Sequence, residues 1–415
     1  NALTYFDARD NSLTCIETLD PDYATANWTY SNGNIDAGVT FDVICGAEAR
    51  THWYVATTGS DNSGSGTLAS PLANIQTAIN ATTDGDTVSV AAGTYVENLV
   101  FGGKNLSLIG ADSSNTIIDG DSVSQVINLQ NGEDSTTVIK NFTLRNGIGW
   151  ELNGSAILMD VSTGEGYYGP RLENLCITQN YDNAITSFGA TFSLKNSRIV
   201  NSYQGMAIVR SQLSTLDNVI ISGNQWSGVE IKSSASPVFN NVTISNNVGE
   251  LGGGVRCSDQ ASPTFTNCVI SNNTASGSGG GIYSENSSVL IENSYINNNT
   301  SGFQGGGVYI QDGGDSRIIN SFIENNTCTE DGGGLTFFRG NLELIGTVVS
   351  NNESTNDYGG GIYVDGGYVD IIESTLQSNT ANGRGGGMFF NGTVYISRSR
   401  IVNNVSSGSG GGLMF

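Results

Sequence analysis

The chain has 415 residues, of which 37% are hydrophobic, enough for the narrow core of one long solenoid with a small appendage. Its formal net charge is −23 with only 16 lysine and arginine residues, which argues against nucleic acid and anionic membrane surfaces as partners. No apolar run reaches bilayer-spanning length, so we expect no direct membrane insertion.

The first 46 residues are predicted to form a unit of their own. Residues 3–13 have the spacing of one leucine-rich repeat turn, with Asn11 at the position that stacks in that fold. One turn cannot bury its own apolar face, so we expect the repeats it belongs to upstream of residue 1. The segment from Cys15 to Cys45 resembles the terminal cap of leucine-rich arrays in surface proteins exported by the type IX pathway. The resemblance implies an oxidised Cys15–Cys45 pair, secretion machinery as a partner, and an extracellular or outer-membrane cell-surface location.

A short linker at 47–51 separates this unit from a second one, which we expect to extend over 52–415. The segment from Trp53 to Ile79 resembles the opening of the right-handed, pectate-lyase-like β-helix superfamily. The resemblance implies that 52–110 forms an N-terminal cap and the first coils of a parallel β-helix.

The cap should contain one short helix. Ser70 is a suitable N-cap, Pro71 suits the first helical position, and Leu72, Ile75 and Ile79 form one apolar stripe. Without a plug, an open coil would expose unpaired strand edges. We therefore expect this helix to lie across the first coil.

Asparagines recur at fixed positions in the coils that follow, with about 22 residues per coil over 111–245 and about 26 residues beyond. One set precedes an apolar position by three residues: Asn141, Asn174, Asn196, Asn218, Asn241, Asn267, Asn293 and Asn320. A second set follows that apolar position by three residues: Asn180, Asn224, Asn247, Asn273, Asn299, Asn326, Asn352, Asn379 and Asn404.

Stacked amides explain why asparagine would repeat in this way. Each amide can donate to the side chain above and accept from the one below, which satisfies polar groups in buried turns. The pattern therefore predicts two asparagine ladders. In the last coils Glu373 and Arg398 replace the first set one coil apart, and we expect them to form an ion pair.

Triple glycines mark the coils of 246–415. They begin at Gly252, Gly279, Gly305, Gly332, Gly359, Gly385 and Gly410, and a fixed period of this size indicates stacked coils. An apolar residue follows each triplet, as on the inward side of a short strand. This density of glycine and asparagine excludes a helical solenoid. The pattern resembles polymorphic outer-membrane protein repeats, which occur in surface adhesins. The predicted fold of 52–415 is therefore an all-β, right-handed parallel β-helix.

The residue after each inward apolar residue of these coils should face outward. It is aromatic at Tyr283, Tyr309, Tyr363 and Phe389, which would place an aromatic stripe on the surface at coil spacing. The stripe could stack sugar rings or dock a partner. Alternatively, it could be a ladder that only stiffens the sheet.

The long loop at 147–170 is a second candidate for ligand binding. One coil step is lengthened there, and the inserted residues include Trp150, Tyr167 and Tyr168. Large loops on a regular scaffold are common places for binding or catalytic groups.

Acidic turns make Ca²⁺ a candidate cofactor. Carboxylates cluster at 84–86, 119–121, 133–134 and 312–315, and Ca²⁺ prefers oxygen ligands. None of these turns matches a defined calcium loop, so solvated turns are the favoured explanation.

The cysteines and the histidine do not match common catalytic or metal sites. Cys176, Cys257, Cys268 and Cys328 lack metal-site spacing and are either packed singly or bridged. His52 is the lone histidine, so neither a catalytic triad nor a zinc site is expected.

The β-helix superfamily includes polysaccharide lyases, hydrolases and epimerases, but the motifs of the polygalacturonase type are absent and lysines are few. We therefore expect a non-catalytic secreted surface protein, an adhesive or structural β-helix that binds a surface glycan or a cell-surface protein. One alternative is a polysaccharide lyase whose site is built by the long loop. Another is a cargo or subunit of a type IX secretion complex. A uniform outer wall would favour binding, and a groove joining the loop to outward charges would favour a lyase.

Overall fold

A small disulfide-bonded unit precedes a long stack of β-coils. The computed structural model describes residues 5–18, 20–46, 50–149, 154–161 and 168–415, with the backbone alone at residue 168. No helix in these ranges is long and apolar enough to cross a membrane.

The N-terminal unit pairs two short strands, Cys15–Glu17 and Thr40–Asp42, in parallel. The first helix, Pro21–Asn27, lies between them in sequence. The ring of Phe6 stacks on that of Trp28 at a centroid distance of 4.7 Å. A few aromatic contacts therefore form the interior of a unit that is too small for a larger core.

A disulfide joins Cys15 and Cys45 across this unit. Asn11, expected to stack between leucine-rich repeats, is exposed, and its amide donates to the carbonyl of Arg9 at 3.0 Å. The role of residues 3–13 in such a repeat remains a prediction, because residues 3 and 4 lie outside the described ranges.

Each later coil of the main unit follows the same four-sided path, illustrated by one coil. Its strands are Ile282–Glu285, Leu290–Glu292, Tyr295–Asn297 and Thr300–Ser301. We call the sides that they form the first, second, third and fourth walls. Strands of one wall pair in parallel with the equivalent strands of the coils before and after.

The strands of each wall follow in chain order. The first wall contains Leu99–Val100, Ile127–Leu129, Ile157–Asp160, Asn183–Phe188, Gln204–Val209, Val229–Lys232, Val255–Cys257, Ile282–Glu285, Val308–Gln311, Leu335–Phe338 and Leu413–Met414. The second contains His52–Val55, Thr87–Val90, Ser107–Gly110, Val138–Lys140, Tyr168–Glu173, Ser236–Asn240, Thr264–Thr266, Leu290–Glu292, Asp315–Ile319 and Asn341–Ile345. The third contains Gly93–Val96, Thr116–Asp119, Thr143–Arg145, Cys176–Thr178, Thr243–Ser245, Val269–Ser271, Tyr295–Asn297, Phe322–Glu324, Val348–Ser350, Thr375–Gln377 and Arg400–Val402. The fourth contains Val248–Gly249, Thr274–Ala275, Thr300–Ser301, Thr327–Cys328, Glu353–Ser354, Thr380–Ala381 and Val405–Ser406.

Four long strands continue around a corner from one wall to the next. Thr191–Val200 and Gln212–Ser222 run from the second wall into the third. Ile362–Ile372 and Met388–Ser397 run from the first wall into the second. The fourth wall begins at Val248, so it accompanies the change to coils of about 26 residues.

The core is a set of apolar columns parallel to the solenoid axis. The residues that follow the triple glycines, among them Val255, Ile282, Val308, Leu335 and Ile362, are fully buried. Stacking each of them over its equivalent removes apolar surface from water along the whole stack. The predicted all-β parallel solenoid with inward residues after each triplet is confirmed.

Two glycines of each triplet have separate structural reasons. Gly279 has φ = +70°, a left-handed conformation that glycine adopts without a steric penalty. A Cβ on Gly280 would lie 2.4 Å from the carbonyl oxygen of Gly306 in the next coil. The triplet therefore combines a turn with a close approach of neighbouring backbones.

The plug helix forms later in the sequence than predicted. It covers Ile75–Ala81, and its N-cap is Asn74 rather than Ser70. Ser70 lies in a β-bridge with Thr67. The carboxylate of Glu97 accepts the backbone N–H groups of residues 75 and 76 at 2.8 Å each. A side chain from the connection that follows the strand Gly93–Val96 thus caps the helix, which the local sequence could not reveal.

The second asparagine set forms a buried amide ladder. The amide of Asn273 donates to Oδ1 of Asn299 at 3.0 Å, and Asn299 donates to Asn326 at 3.0 Å. Each amide also donates to a backbone carbonyl, such as Asn299 to Ile270 at 2.9 Å. The asparagine-to-asparagine bonds begin at Asn224, whereas Asn180 donates its backbone N–H to Oγ of Ser202. From Asn247 onward these asparagines lie at the corner before the fourth wall, where they satisfy buried polar groups coil after coil.

The first asparagine set has a different role from the one expected. These residues share a left-handed backbone conformation at the corner between the second and third walls, for example φ = +54° at Asn267 and +50° at Asn293. Their side chains are mostly exposed, and in the described ranges only two neighbouring pairs of the set bond to each other. The residue after each corner points inward instead, and Oγ of Ser294 accepts the N–H of Cys268 at 2.9 Å.

Two smaller expectations are settled by side-chain positions. Nη2 of Arg398 lies 2.9 Å from Oε1 of Glu373, so the predicted ion pair is confirmed. The four remaining cysteines are free and buried, which decides between the two alternatives in favour of single packed thiols: Cys176, Cys257, Cys268 and Cys328.

Candidate functional site

The outer face of the first wall carries the predicted aromatic stripe. Tyr283 and Tyr309 lie on successive coils, with ring centroids 5.0 Å apart and ring planes within 3° of parallel. Each tyrosine is only 7% exposed, so the expectation that the stripe lies open on the surface is wrong for this pair. In-register strands place one ring directly over the other, and their facing surfaces are covered.

The stripe continues through a residue that the sequence pattern missed. Thr336 occupies the next outward position without a ring, and the ring of Phe338 lies 5.7 Å from Tyr309 and 5.8 Å from Tyr363. Tyr363 then stacks on Phe389 at 5.6 Å. The structure therefore brings the four predicted aromatics together as a ladder of ring contacts, which stiffens the wall.

Burial extends to higher pH the range over which the hydroxyl groups in this ladder stay protonated. The hydroxyl of Tyr283 donates to Oε2 of Glu285 at 3.4 Å, and that of Tyr309 donates to Oε1 of Gln311 at 2.6 Å. Burial, together with the charge of Glu285, raises the pKa of Tyr283 to about 12. These hydroxyls are therefore protonated near neutral pH and act as hydrogen-bond donors.

A charged trio adjoins the N-terminal end of the stripe. Nζ of Lys232 lies 3.2 Å from Oε2 of Glu230, and Nη1 of Arg256 lies 3.8 Å from Oε1 of the same carboxylate. Nε of Arg256 is buried and has no hydrogen-bond partner among the described residues. The trio is a partly buried ion-pair network with one unused donor.

Of the three aromatic residues predicted for the long loop, the described ranges include only the backbone of Tyr168. Trp150 and Tyr167 lie outside the described residues. Tyr168 begins the strand Tyr168–Glu173 on the second wall, where its backbone pairs with Thr191. The ligand-binding role predicted for this loop stays a prediction.

The second wall carries an open groove that the sequence analysis did not identify. It has a volume of about 370 Å³, and its outward residues are Asp315, Arg317, Asn341, Glu343, Tyr368 and Asp370. They come from three successive coils, in positions paired by the strand register. The groove lies within the coils of about 26 residues.

Hydrogen bonds hold the polar side chains of the groove in place. Nε of Arg317 donates to Oε2 of Glu343 at 2.6 Å. Nδ2 of Asn341 donates to Oδ1 of Asp315 at 2.7 Å. Each bond joins neighbouring coils, so the polar groups form an ordered array on a rigid wall.

Two tyrosines of this wall have open rings. Tyr368 lies in the groove and is 61% exposed, and Tyr395, on the next coil, is 62% exposed. Tyr395 is the register partner of Asp370. In the described ranges neither ring contacts another aromatic ring. In the sequence, the groove residues occupy two outward positions on each coil, 315 and 317 and their equivalents. They can be recognised as neighbours only once the strand register is known.

A more apolar cleft lies near the plug helix. It has a volume of about 460 Å³, and Tyr54, Leu68 and Ile109 contribute to its lining. Nearby, Nε2 of His52 is within 2.8 Å of Oγ of Ser89, and the imidazole stacks on the ring of Tyr54. His52 is therefore engaged by its neighbours.

The acidic turns proposed for Ca²⁺ are used within the protein. Asp86 accepts the backbone N–H of Thr83 at 2.9 Å, and Asp119 pairs with Arg145 at 2.7 Å. Asp312 pairs with Arg339 at 3.0 Å. In the part of the chain that the structure describes, no three His, Cys, Asp or Glu side chains converge on a metal-sized site.

Comparison with protein families gives one match. A model described as the right handed beta helix region matches residues 125–303 and 268–414. Comparison with curated proteins gives no match.

Comparison with solved structures gives looser likenesses. The A-module of the mannuronan C-5 epimerase AlgE6 of Azotobacter vinelandii is 14% identical, with a TM-score of 0.43 over 80% of this chain and 91% of that chain. XylC in complex with xylose is 8% identical, with a TM-score of 0.46 over 84% and 86% of the two chains. Pectate lyase Pel9A is 15% identical, with a TM-score of 0.32 over 86% and 79%. None of these superpositions bears on the chemistry of the present chain.

Proposed function

The chain belongs to the right-handed β-helix family, and we propose that it is a non-catalytic surface protein that binds a glycan in the groove of its second wall. The observation that carries this proposal is the open ring of Tyr368 beside polar groups that are already hydrogen-bonded in place. A sugar ring has apolar C–H faces that pack on an aromatic ring and hydroxyls that bond to planar polar side chains.

The rigidity of the wall supports binding. Arg317 and Asn341 are held by partners from the adjacent coil, so a ligand would not have to order them. Pre-ordered side chains reduce the entropy lost on binding, which raises affinity for a given set of contacts.

The surface location is part of the same proposal. A disulfide joins Cys15 and Cys45, and disulfides persist in oxidising compartments outside the cytosol. The charge of −23 suits a soluble extracellular surface. In its more specific form, the proposal includes an adhesive role, a leucine-rich cap at the N-terminus, and export as type IX cargo. A cell-surface protein is the alternative partner.

The experiment is a binding assay on immobilised polysaccharides with wild type and Tyr368→Ala. We expect Tyr368→Ala to weaken binding about tenfold, the loss that one aromatic contact typically causes. Tyr181→Ala is the matched control, because Tyr181 is 62% exposed and lies far from the groove in sequence. Equal binding by wild type and Tyr368→Ala would refute the groove as the site, and circular dichroism would verify folding.

A polysaccharide lyase is the second candidate, favoured by the unpartnered Nε of Arg256 beside Lys232 and Tyr283. Elimination on a uronate needs a base and a group that neutralises the sugar carboxylate. Incubation with uronate polymers should yield no unsaturated product if the chain only binds. Product that disappears in Lys232→Ala would overturn the non-catalytic proposal.

A further inference from the structure

The groove is built from two rows that run along the solenoid axis. One row places Asp315, Asn341 and Tyr368 on successive coils. The other places Arg317, Glu343 and Asp370 on successive coils and continues on the next coil to Tyr395, which lies beyond the lining of the groove. Successive coils are separated by about 4.8 Å, the spacing of paired strands, which is close to the length of one sugar unit in an extended chain.

The charges of the groove are unequal. Three carboxylates, those of Asp315, Glu343 and Asp370, face one guanidinium, that of Arg317. The guanidinium is bonded to Glu343 at 2.6 Å. In the described ranges Asp370 forms no ion pair. The groove therefore has two negative charges in excess, and a ligand with its own carboxylate or sulfate would be repelled.

The open tyrosines lie on successive coils in adjacent rows. Tyr368 is in the row of Asp315, and Tyr395 is one coil further along in the row of Asp370. A chain lying along the axis would meet both rings within two sugar units, whereas a chain across the wall would leave the row of carboxylates and meet one ring at most.

We propose that the second-wall groove binds an uncharged glycan extended along the solenoid axis, with about one sugar unit per coil and stacking positions on Tyr368 and Tyr395. This inference rests on the proposed glycan-binding function and adds the charge class and direction of the ligand. The carboxylates accept hydrogen bonds from sugar hydroxyls, and their excess charge excludes polyuronates.

The test uses matched pairs of oligosaccharides. Glucan and mannan oligosaccharides of two and four units, and their monosaccharides, are compared with the same sugars carrying a carboxylate at C6, by calorimetry at low and moderate salt. For at least one neutral series we expect affinity to rise about tenfold from one to two units as the second ring is reached. The oxidised partner should bind about tenfold more weakly, and added salt should narrow that gap.

Variants identify the groups responsible. Tyr395→Ala should abolish the gain in affinity from one to two units, while Tyr368→Ala should weaken the binding of ligands of every length. Asp370→Asn should reduce the preference for the neutral chain severalfold, and Glu353→Gln, on the fourth wall, should leave that preference as in wild type.

The possible outcomes distinguish the charge class and direction inferred for the ligand from the proposed glycan-binding function itself. Tighter binding of the oxidised chains, still sensitive to Tyr368→Ala, would overturn the neutral ligand and preserve the glycan-binding groove. A neutral chain whose affinity does not change with length would overturn the axial direction. Binding that is unaffected by both tyrosine substitutions would refute the proposed function itself.

Discussion

Two faces of one solenoid carry tyrosines with opposite exposures. On the first wall Tyr283 and Tyr309 are each 7% exposed, and their rings lie 5.0 Å apart. On the second wall Tyr368 and Tyr395 are 61% and 62% exposed. Both pairs face away from the core, so orientation alone does not explain the difference.

The difference comes from what lies on the neighbouring coils. In-register parallel strands place each residue over its equivalent, so a tyrosine that repeats at coil spacing has its ring faces covered by the next tyrosine. Tyr368 instead follows Asn341 in its row, and Tyr395 follows Asp370. In this fold, repetition of a side chain indicates a structural contact, and an interruption of the repeat leaves a surface that a ligand can reach.

The largest expected effect on stability comes from comparing a buried asparagine with an exposed one, as with the tyrosines. Asn299 repeats within the buried ladder, while Asn298, one residue earlier, is exposed at a corner. Asn299→Ala would remove four hydrogen bonds between this side chain and its neighbours in a buried ladder, so we expect a loss of more than about 3 kcal/mol of unfolding free energy.

The control for this substitution is Asn298→Gly, which keeps the left-handed conformation available. It should cost less than about 1 kcal/mol in urea unfolding. Equal losses for the two variants would contradict the distinction between the buried ladder and the exposed corner.

The tyrosine faces themselves give the next test. Tyr309→Ala should lower the unfolding free energy by about 3 kcal/mol, because it removes a buried ring from the middle of a stack, and should leave glycan affinity unchanged. Tyr368→Ala should change stability by less than about 0.5 kcal/mol and lose glycan affinity. Thermal unfolding and the binding assay, applied to both variants, would show whether the effects separate. If both variants lost both stability and glycan affinity, the distinction between covered and open tyrosines would be wrong.

The aromatic stripe of the first wall has no ring at Thr336, and this position allows a test with a smaller expected effect. Thr336 is fully buried, and Phe338 supplies the ring at that level. Thr336→Tyr alone should destabilise the protein by about 2 kcal/mol, because the site already contains a ring. Adding Phe338→Ala should recover part of the loss. A double variant less stable than either single variant would show that the two positions do not share one space.

The smallest effect is a pH dependence. The pKa of Tyr283 is raised from 10.0 to about 12 by burial and by Glu285. Because the folded state favours the neutral phenol, this contribution to stability is present below pH 10 and is lost as the pH rises toward 12. Tyr283→Phe should show a weaker fall in urea stability over that interval. Tyrosinate absorbance of the folded wild type should report the raised pKa, and titration of all tyrosines near 10 would contradict it.

The sequence predicted the features that repeat. The triple glycines gave the coil period, and the apolar residues after them, such as Ile282 and Val308, are the buried columns. The ion pair of Glu373 and Arg398 followed from the same register. These predictions succeeded because each coil repeats one local pattern, so sequence spacing converts directly into stacking.

The errors concern positions where distant residues decide the outcome. The helix begins at Ile75, where Glu97 caps it from 22 residues further along the chain, and no local signal carried that information. The stripe at Tyr283 was predicted to be open because alternation gives the direction of a side chain but not what covers it. The groove was missed because Asp315, Asn341 and Tyr368 share no residue type.

The sequence by itself determined that this chain is a parallel β-solenoid with an apolar core, since a repeated pattern of turns and inward residues leaves few other ways to bury that surface. Only the tertiary structure decided which tyrosines are covered and which are open. Exposure depends on the residue one coil away, some 25 positions distant in the chain, and on the side chains that bond across that distance.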